Sequence, residues 1–327
     1  YYNFVKRFST NILFVLLFIA SIFIGGGWLR MTMKSNEVQP FSIDIATIQP
    51  NIDPNEKWRN ANRQETFDFM DSLHLYAISL NPDIILFPET ALPTYLRINS
   101  RLRQQLQNRV DISDIPILIG TVDRRLDSIG NKLYFNSALY LQPNRGYEIY
   151  DKIHLVPFAE YDLLPSLLHP LGKLNINIDR GVFRGGSDYS LFKYNDVYFS
   201  NLICYESTFA RYARRFVKDG AQLLMIQAND GWLGNSAGPY QHFEHARLRA
   251  IENRVPIIRS GNTGISGVIL STGEVKMKVP LGEEAVFIEN IPYGLSNTFY
   301  SMYGDVFAVL SFIIFLFIGP VFSCIKF

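Results

Sequence analysis

Apolar and polar residues alternate through Phe41-Ser-Ile-Asp-Ile-Ala-Thr-Ile-Gln49, the pattern of a half-buried strand that ends at Pro50-Asn51. The period then changes: Phe67, Met70, Leu73, Ala77 and Leu80 recur at helical spacing within Asn60–Leu80. Asp83–Phe87 reads as a buried strand cut short by Pro88-Glu89, Leu102–Val110 as a helix, and Ile115–Val122 as strand again. Two further strands, Tyr134–Gln142 and Gly146–Ile153, are joined by a Pro-Asn-Arg-Gly turn. A region rich in Pro, Gly and Leu runs from Pro157 to Gly186. After it come strand Val197–Ile203, a basic helix (Phe209–Asp219), strand Gln222–Gln227, a loop over Asn229–Pro239 and helix Tyr240–Asn253. Strands Pro256–Ser260, Ser266–Leu270 and Glu284–Asn290 close the series. Alternation of this kind predicts a layered α/β fold with its site at the strand ends.

The two ends of the chain follow another pattern. No charged residue occurs from Phe8 to Leu29 or from Val306 to Ile325. Each run matches the roughly 20 apolar residues that cross a bilayer core. We therefore expect a transmembrane helix with its flank over 1–30, a polar linker over 31–40, a catalytic domain over 41–295 and a C-terminal transmembrane helix over 304–327. The first run is longer than the apolar region of a secretory signal and lacks an A-x-A site. A start at Tyr-Tyr-Asn without an initiator methionine leads us to expect a piece of a longer protein, its first span the last of several.

These runs account for much of the 48% hydrophobic content over 327 residues. A net charge of +1, without a basic and aromatic stripe, points away from nucleic acid as a partner. Only two cysteines are present, Cys204 and Cys324, so a disulfide within the central domain is excluded.

Cys204 is delivered by strand Val197–Ile203 to the point where that strand ends. Thiol chemistry needs a thiolate, a base, and a cation or amide for the developing oxyanion. Glu89 stands at the end of strand Asp83–Phe87 behind a proline that stops the ladder, in position to act as base. Lys152 ends strand Tyr147–Tyr150 and carries a charge suited to an oxyanion. Among the five histidines, His154 follows Lys152 closely, and His242 and His245 share a helix without an H-E-x-x-H spacing. No metal or cofactor is expected. Gly234-Asn-Ser236-Ala-Gly238 fits G-x-S-x-G, but no strand leads directly into it and Pro239 follows, so a serine nucleophile is not favoured.

Glu, Lys and Cys, each at a strand end and in that order, resemble the nitrilase or carbon–nitrogen hydrolase superfamily. Further motifs are similar to its apolipoprotein N-acyltransferase family: Ile48-Gln-Pro-Asn-Ile with Lys57-Trp58, Phe87-Pro-Glu-Thr-Ala-Leu-Pro and Tyr150-Asp-Lys-Ile-His-Leu-Val-Pro-Phe-Ala-Glu-Tyr161 among them. Ile203-Cys-Tyr-Glu206, Asn229-Asp-Gly-Trp-Leu-Gly and the stretch Arg249–Ser266 continue the likeness, which covers about Ile43 to Pro292. The resemblance implies a nitrilase-like α-β-β-α sandwich flanked by transmembrane helices, in the bacterial inner membrane with its catalytic domain on the periplasmic face. It implies an acyl chain moving from a phospholipid, through a Cys204 thioester, to the N-terminal amine of a diacylated apolipoprotein. Glu89 would be the base, while Lys152 and the Tyr205 amide would hold the oxyanion. Glu160, Tyr205 and Glu206 would support the triad. Trp58 and Trp232, with Tyr161 and the apolar loop Leu163–Leu168, are candidates for an acyl-chain or interfacial surface. A monomer is expected. The family has several N-terminal membrane helices where this chain has one. A membrane-anchored amidase with the same triad is the alternative, and a scaffold with a decayed domain is disfavoured by the intact triad.

Overall fold

A computed structural model describes residues 41–157, 159–161, 183–294 and 298–313, with Leu17, Ala20 and Ser21 near the N-terminus, which are helical. The domain starting at Phe41 holds two six-stranded sheets. The first comprises β1 (Phe41–Gln49), β2 (Ile84–Leu86), β3 (Ile117–Leu126), β4 (Lys132–Gln142), β5 (Gly146–Asp151) and β12 (Ala285–Tyr293), in the order β12-β1-β2-β3-β4-β5. The second comprises β6 (Phe192–Tyr194), β7 (Val197–Ile203), β8 (Leu223–Ala228), β9 (Ile257–Gly261), β10 (Ser266–Ile269) and β11 (Val275–Val279), in the order β11-β10-β9-β8-β7-β6. Strands β1, β2 and β3 are mutually parallel, as are β7, β8 and β9; the outer strands join antiparallel.

Side-chain parity sorts the layers. On β1, Ile43 and Ile45 enter the core shared with the second sheet, while Ala46 and Ile48 enter a separate outer core. On β2 and its exit, Ile84 and Leu86 face inward and Ile85 and Phe87 outward. Met70, Leu73 and Ala77 of α1 (Arg63–Ser79) and Leu106 and Val110 of α2 (Ser100–Ser113) cover that outer face. The second sheet is covered by α3 (Ala210–Lys218) and α4 (Ala237–Asn253), through Phe216, Ala213, Phe243, Ala246 and Ala250. The architecture is helix, sheet, sheet, helix, the α-β-β-α sandwich expected.

Two buried side chains tie the sheets together by bonding across to backbone. Gln227 on β8 donates through Nε2 to the carbonyls of Phe87 (2.7 Å) and Leu118 (3.3 Å), and its oxygen accepts from Asn201 on β7 at 2.9 Å. Ser260 on β9 donates to Ile48 O at 2.7 Å. These bonds satisfy polar groups that burial would otherwise penalise by about 1–3 kcal/mol each.

A short helix, α5 (Phe299–Tyr303), is capped by Thr298 and leads into helical residues 306–313. Val306, Phe307, Leu310 and Phe312 there are all exposed. No helix of the described residues is long and apolar enough to cross a membrane. The expected spans lie mostly outside those residues, as does the loop Leu163–Leu168. Strands β6 and β11 and helix α5 add to the predicted elements; β6 and α5 are too short to show a period.

Candidate active site

Because β5 runs antiparallel to β4 and β4 to β3, β5 points the same way as β2 and β3. The chain therefore leaves β2 and β5 at one end of the first sheet, bringing Glu89 and Lys152 together. Lys152 is 1% exposed, with its Nζ 3.6 Å from Glu89 Oε1 and 2.9 Å from Glu160. Asn136, on β4, donates to both carboxylates, at 2.7 Å to Glu89 and 2.9 Å to Glu160. The amide of Val156 donates to Glu160 at 2.8 Å. Burial works against the charge on Lys152, but Glu89, Glu160 and Cys204 outweigh it and hold the ammonium above its ordinary pKa.

Lys57 reaches the same corner: it is 1% exposed and donates to Thr90 O at 2.7 Å, immediately beyond Glu89. Gly120 lies beneath. A Cβ there would stand 2.5 Å from Pro88 O and 2.7 Å from Glu89 Cα, so the β2 exit passes where only hydrogen fits.

Cys204 approaches from the second sheet. It leaves β7 with φ +51, a left-handed conformation rare for a residue with a side chain, and opens a 3₁₀ turn over Cys204–Thr208. Glu206 in that turn is fully buried and accepts from three backbone amides and a hydroxyl. Its oxygens take the amides of Ile203 (2.7 Å), Ile153 (2.6 Å) and His154 (3.0 Å) and the Tyr150 hydroxyl at 2.9 Å. One carboxylate thus pins the turn carrying Cys204 to the segment leaving Lys152. Burial pushes its carboxyl up to about 7, against the pull of those amides.

Half-buried Cys204 has a thiol held well above its ordinary pKa by burial and by the charge of Glu89; Lys152 pulls the other way. The resting group is a thiol that must be deprotonated locally before it attacks.

Tyr205 stacks on His154, with ring centroids 5.7 Å apart, and meets Phe209 edge-on at 5.0 Å. His154 hydrogen-bonds the Tyr212 hydroxyl through Nδ1 at 3.1 Å. Trp58 is half-buried, whereas Trp232 is 62% exposed; its neighbour in sequence Leu233 is exposed, as is Tyr240 on α4. Gly231 packs against Pro54, so the turn bearing Trp232 lies on the segment that leads to Trp58. Ser236 is the N-cap of α4, accepting from Gly238 N at 3.1 Å.

Cys204, Asp230 and His242 each bring a metal-ligand atom within 4.8 Å of the others. Both Asp230 oxygens and both His242 nitrogens are already engaged, with each other, Arg259, Ser207 and the Cys204 carbonyl. Sequence reasoning named Cys204 and His242 but did not join them to Asp230, and it missed Asn136 and Gln227. These residues lie on different elements, and Asp230 entered only as part of the Asn229-Asp-Gly-Trp motif.

The carbon–nitrogen hydrolase family matches residues 44–298, and the chain belongs to that family. Its fold resembles an amidase of the nitrilase superfamily from Nesterenkonia, with a TM-score of 0.60 over 82% of this chain and 95% of that one at 16% identity. A carbon–nitrogen hydrolase from Helicobacter pylori gives 0.60 over 77% and 89% at 15%. Among curated proteins, the chain is similar to apolipoprotein N-acyltransferases. That of Geobacter metallireducens is 36% identical over 307 residues, covering 92% of this chain and 56% of the relative. That of Chlorobaculum tepidum is 30% identical over 287 residues, covering 81% and 54%. The chain spans about half the length of these relatives.

Proposed function

We propose that the chain carries the catalytic domain of an apolipoprotein N-acyltransferase, with Cys204 as nucleophile, Glu89 as base and Lys152 as oxyanion partner. The observation that carries this reading is the buried Glu89–Lys152–Glu160 cluster, electrostatically coupled to a cysteine held on a left-handed turn. Relatives with that name supply the substrate class.

In the first half-reaction Glu89 takes the thiol proton as Sγ attacks the sn-1 ester carbonyl of a phospholipid. Lys152 and the Tyr205 amide stabilise the tetrahedral oxyanion. The C–O bond breaks, Glu89 returns the proton to the departing alkoxide, and lysophospholipid leaves. In the second, the free α-amine of a diacylglyceryl-cysteine attacks the thioester. Glu89 accepts the amine proton, the C–S bond breaks, and the thiolate recovers that proton. No step draws on a metal or nucleotide. Glu160 holds Lys152, and Glu206 holds both loops. The exposed Trp232, Leu233 and Tyr240 support an apolar ligand or surface beside the site. With Trp58 they are assigned to the acyl chain. The apolar runs 8–29 and 306–325 are assigned to the bacterial inner membrane, with this domain on its periplasmic side.

The test offers the full chain a phospholipid with a labelled sn-1 chain and a diacylglyceryl-cysteine peptide, and in parallel a set of small aliphatic amides. The reading requires label on the peptide amine. Ammonia released from amides without lipid transfer would assign the triad to an amidase instead.

A further inference from the structure

The stretch that delivers Glu89 is longer than the ladder it belongs to. Along the parallel pair β2 and β3, Ile85 N donates to Pro116 O at 3.0 Å and Phe87 N to Leu118 O at 2.9 Å, so each bond advances both strands by two residues. By that count the next carbonyl, Gly120 O, would take the amide of Glu89. It takes that of Ala91 instead, at 2.8 Å. Two extra residues are therefore looped out between bonds that fix both ends of the span. Pro88 brings no N–H to this loop, and Gly120 already meets its backbone, so the loop has no room to sink toward β3.

The loop closes through Thr90, whose φ is +45. A β-branched residue in the left-handed region is strained, and it persists only where its surroundings over-determine it. One determinant acts on the carbonyl of that same residue. Lys57 Nζ donates to Thr90 O at 2.7 Å, from a side chain that is 1% exposed. A charged donor binds a carbonyl more strongly than a neutral one, and burial keeps water from competing for the bond.

Lys57 is itself anchored from the other sheet. Its amide donates to Asp53 O at 3.0 Å, closing the turn that carries it. Just before that turn, Asn51 N donates to Asn262 O at 2.9 Å. Asn262, which follows β9, returns a side-chain bond to Ile52 O at 2.7 Å. Base and nucleophile come from different sheets, so their relative placement depends on bridges of this kind. The bridge through Lys57 ends on the residue next to the base.

We propose that Lys57 is a positioning residue for the base: by holding Thr90 O it keeps the looped-out Glu89 in place against Lys152 and Cys204. It acts through the backbone of Thr90 and not on the substrate. The inference rests on Glu89 being the base for Cys204. Without Lys57, Thr90 can leave the left-handed region. The ends of the loop then stay bonded to β3 while Glu89, at its crest, turns away.

The experiment mixes the full chain, in a Cys324→Ser background, with p-nitrophenyl butyrate and follows the burst of nitrophenolate. Glu89 takes the thiol proton, Sγ attacks the ester carbonyl, and the C–O bond breaks to release nitrophenolate. The burst amplitude counts working sites, and its rate constant reports acylation. Lys57→Met keeps the length of the side chain but donates nothing. We expect its rate constant to fall about a hundredfold, at parental amplitude and parental half-saturation. A parental rate constant would overturn the proposal, and so would a loss confined to the amplitude, the mark of a damaged fold. Glycine adopts a positive φ without strain, so adding Thr90→Gly to Lys57→Met should restore about tenfold of the rate. A double variant no faster than Lys57→Met would also overturn it. Should Lys57→Met fail to fold, the double variant is compared with Thr90→Gly alone: rates within about tenfold support the proposal, and a gap of about a hundredfold refutes it. The ester needs neither phospholipid nor lipopeptide. A burst that slows in Lys57→Met, without acyl transfer to the lipopeptide, would therefore retire the acyltransferase reading and leave this one standing. A parent without a burst would remove Cys204 as nucleophile, and this inference with it.

Discussion

Lys152 and Cys204 end strands in opposite sheets, and the protein holds them by different means. On the Lys152 side the device is side-chain charge: one buried ammonium, two carboxylates and the Asn136 amide that donates to both. On the Cys204 side it is backbone conformation. A left-handed residue opens the turn, and Glu206 gathers the amides on either side of the site. Removing one charge from the first side strands its partners, whereas altering the second side changes where the sulfur and the Tyr205 amide point. The first device answers mainly to charge deletion, the second to geometry, and Glu206 belongs to both.

The largest separation of the two should come from Lys152→Met. It leaves Glu89 and Glu160 without their cation, so we expect a stability loss of about 3–5 kcal/mol in denaturant unfolding. Acyl turnover should fall about a thousandfold with the oxyanion partner gone. An enzyme of near-parental stability would show that the carboxylates do not depend on the ammonium. Gly120→Ala comes next, because it tests geometry on the charged side without touching a charge. Its Cβ would press on Pro88 and Glu89, costing about 1–3 kcal/mol. The displaced base should cost about a hundredfold in turnover. Unchanged turnover would mean that Glu89 tolerates displacement and that the comparison is drawn too sharply.

The effect with the least expected loss of turnover is read in the pH dependence of Glu206→Gln. In the folded protein Glu206 titrates at about 7, raised from an ordinary 4.5. Folding therefore binds its proton more tightly: the stabilisation is complete below about 4.5 and is lost as pH rises through about 7. The difference in unfolding free energy between parent and Glu206→Gln should decline by about 3 kcal/mol across that window. His74, buried against Phe87 and brought down to about 4 from 6.5, acts with the opposite sign, since its neutral form is lost as pH falls. The parental curve alone is consequently flattened, and only the difference curve reads Glu206. A difference that does not change with pH would show that Glu206 keeps the same protonation in both states.

Much of this arrangement was legible from residue order. Strand β1 and strand β7 occupy the predicted residues, because alternation in one and a continuous apolar run in the other leave little choice. Glu89, Lys152 and Cys204 stood out because each interrupts a strand, and Glu160 and Glu206 entered through the family resemblance. Asn136 did not stand out, since it sits inside β4 and looks like any polar position on a strand. Gln227 and Arg259 were hidden similarly, as polar residues on strands whose partners come from distant segments. His242 was noticed only beside His245, as an undistinguished pair; its partner Asp230 becomes apparent only once α4 packs against the turn after β8. Backbone devices leave the faintest trace. Nothing in Ile-Cys-Tyr-Glu announces a positive φ, and Gly120 resembles any strand glycine until the β2 exit is laid across it.

The central claim is that Cys204 carries the acyl group, and trapping that thioester tests it most directly. The full chain is incubated with phospholipid labelled in its sn-1 chain, quenched in acid and mapped by peptide mass spectrometry with and without hydroxylamine. The account predicts one labelled peptide, containing Cys204, whose label hydroxylamine removes and which is absent from Cys204→Ala. A Cys204→Ala protein that still transfers acyl chains to the lipopeptide would contradict it.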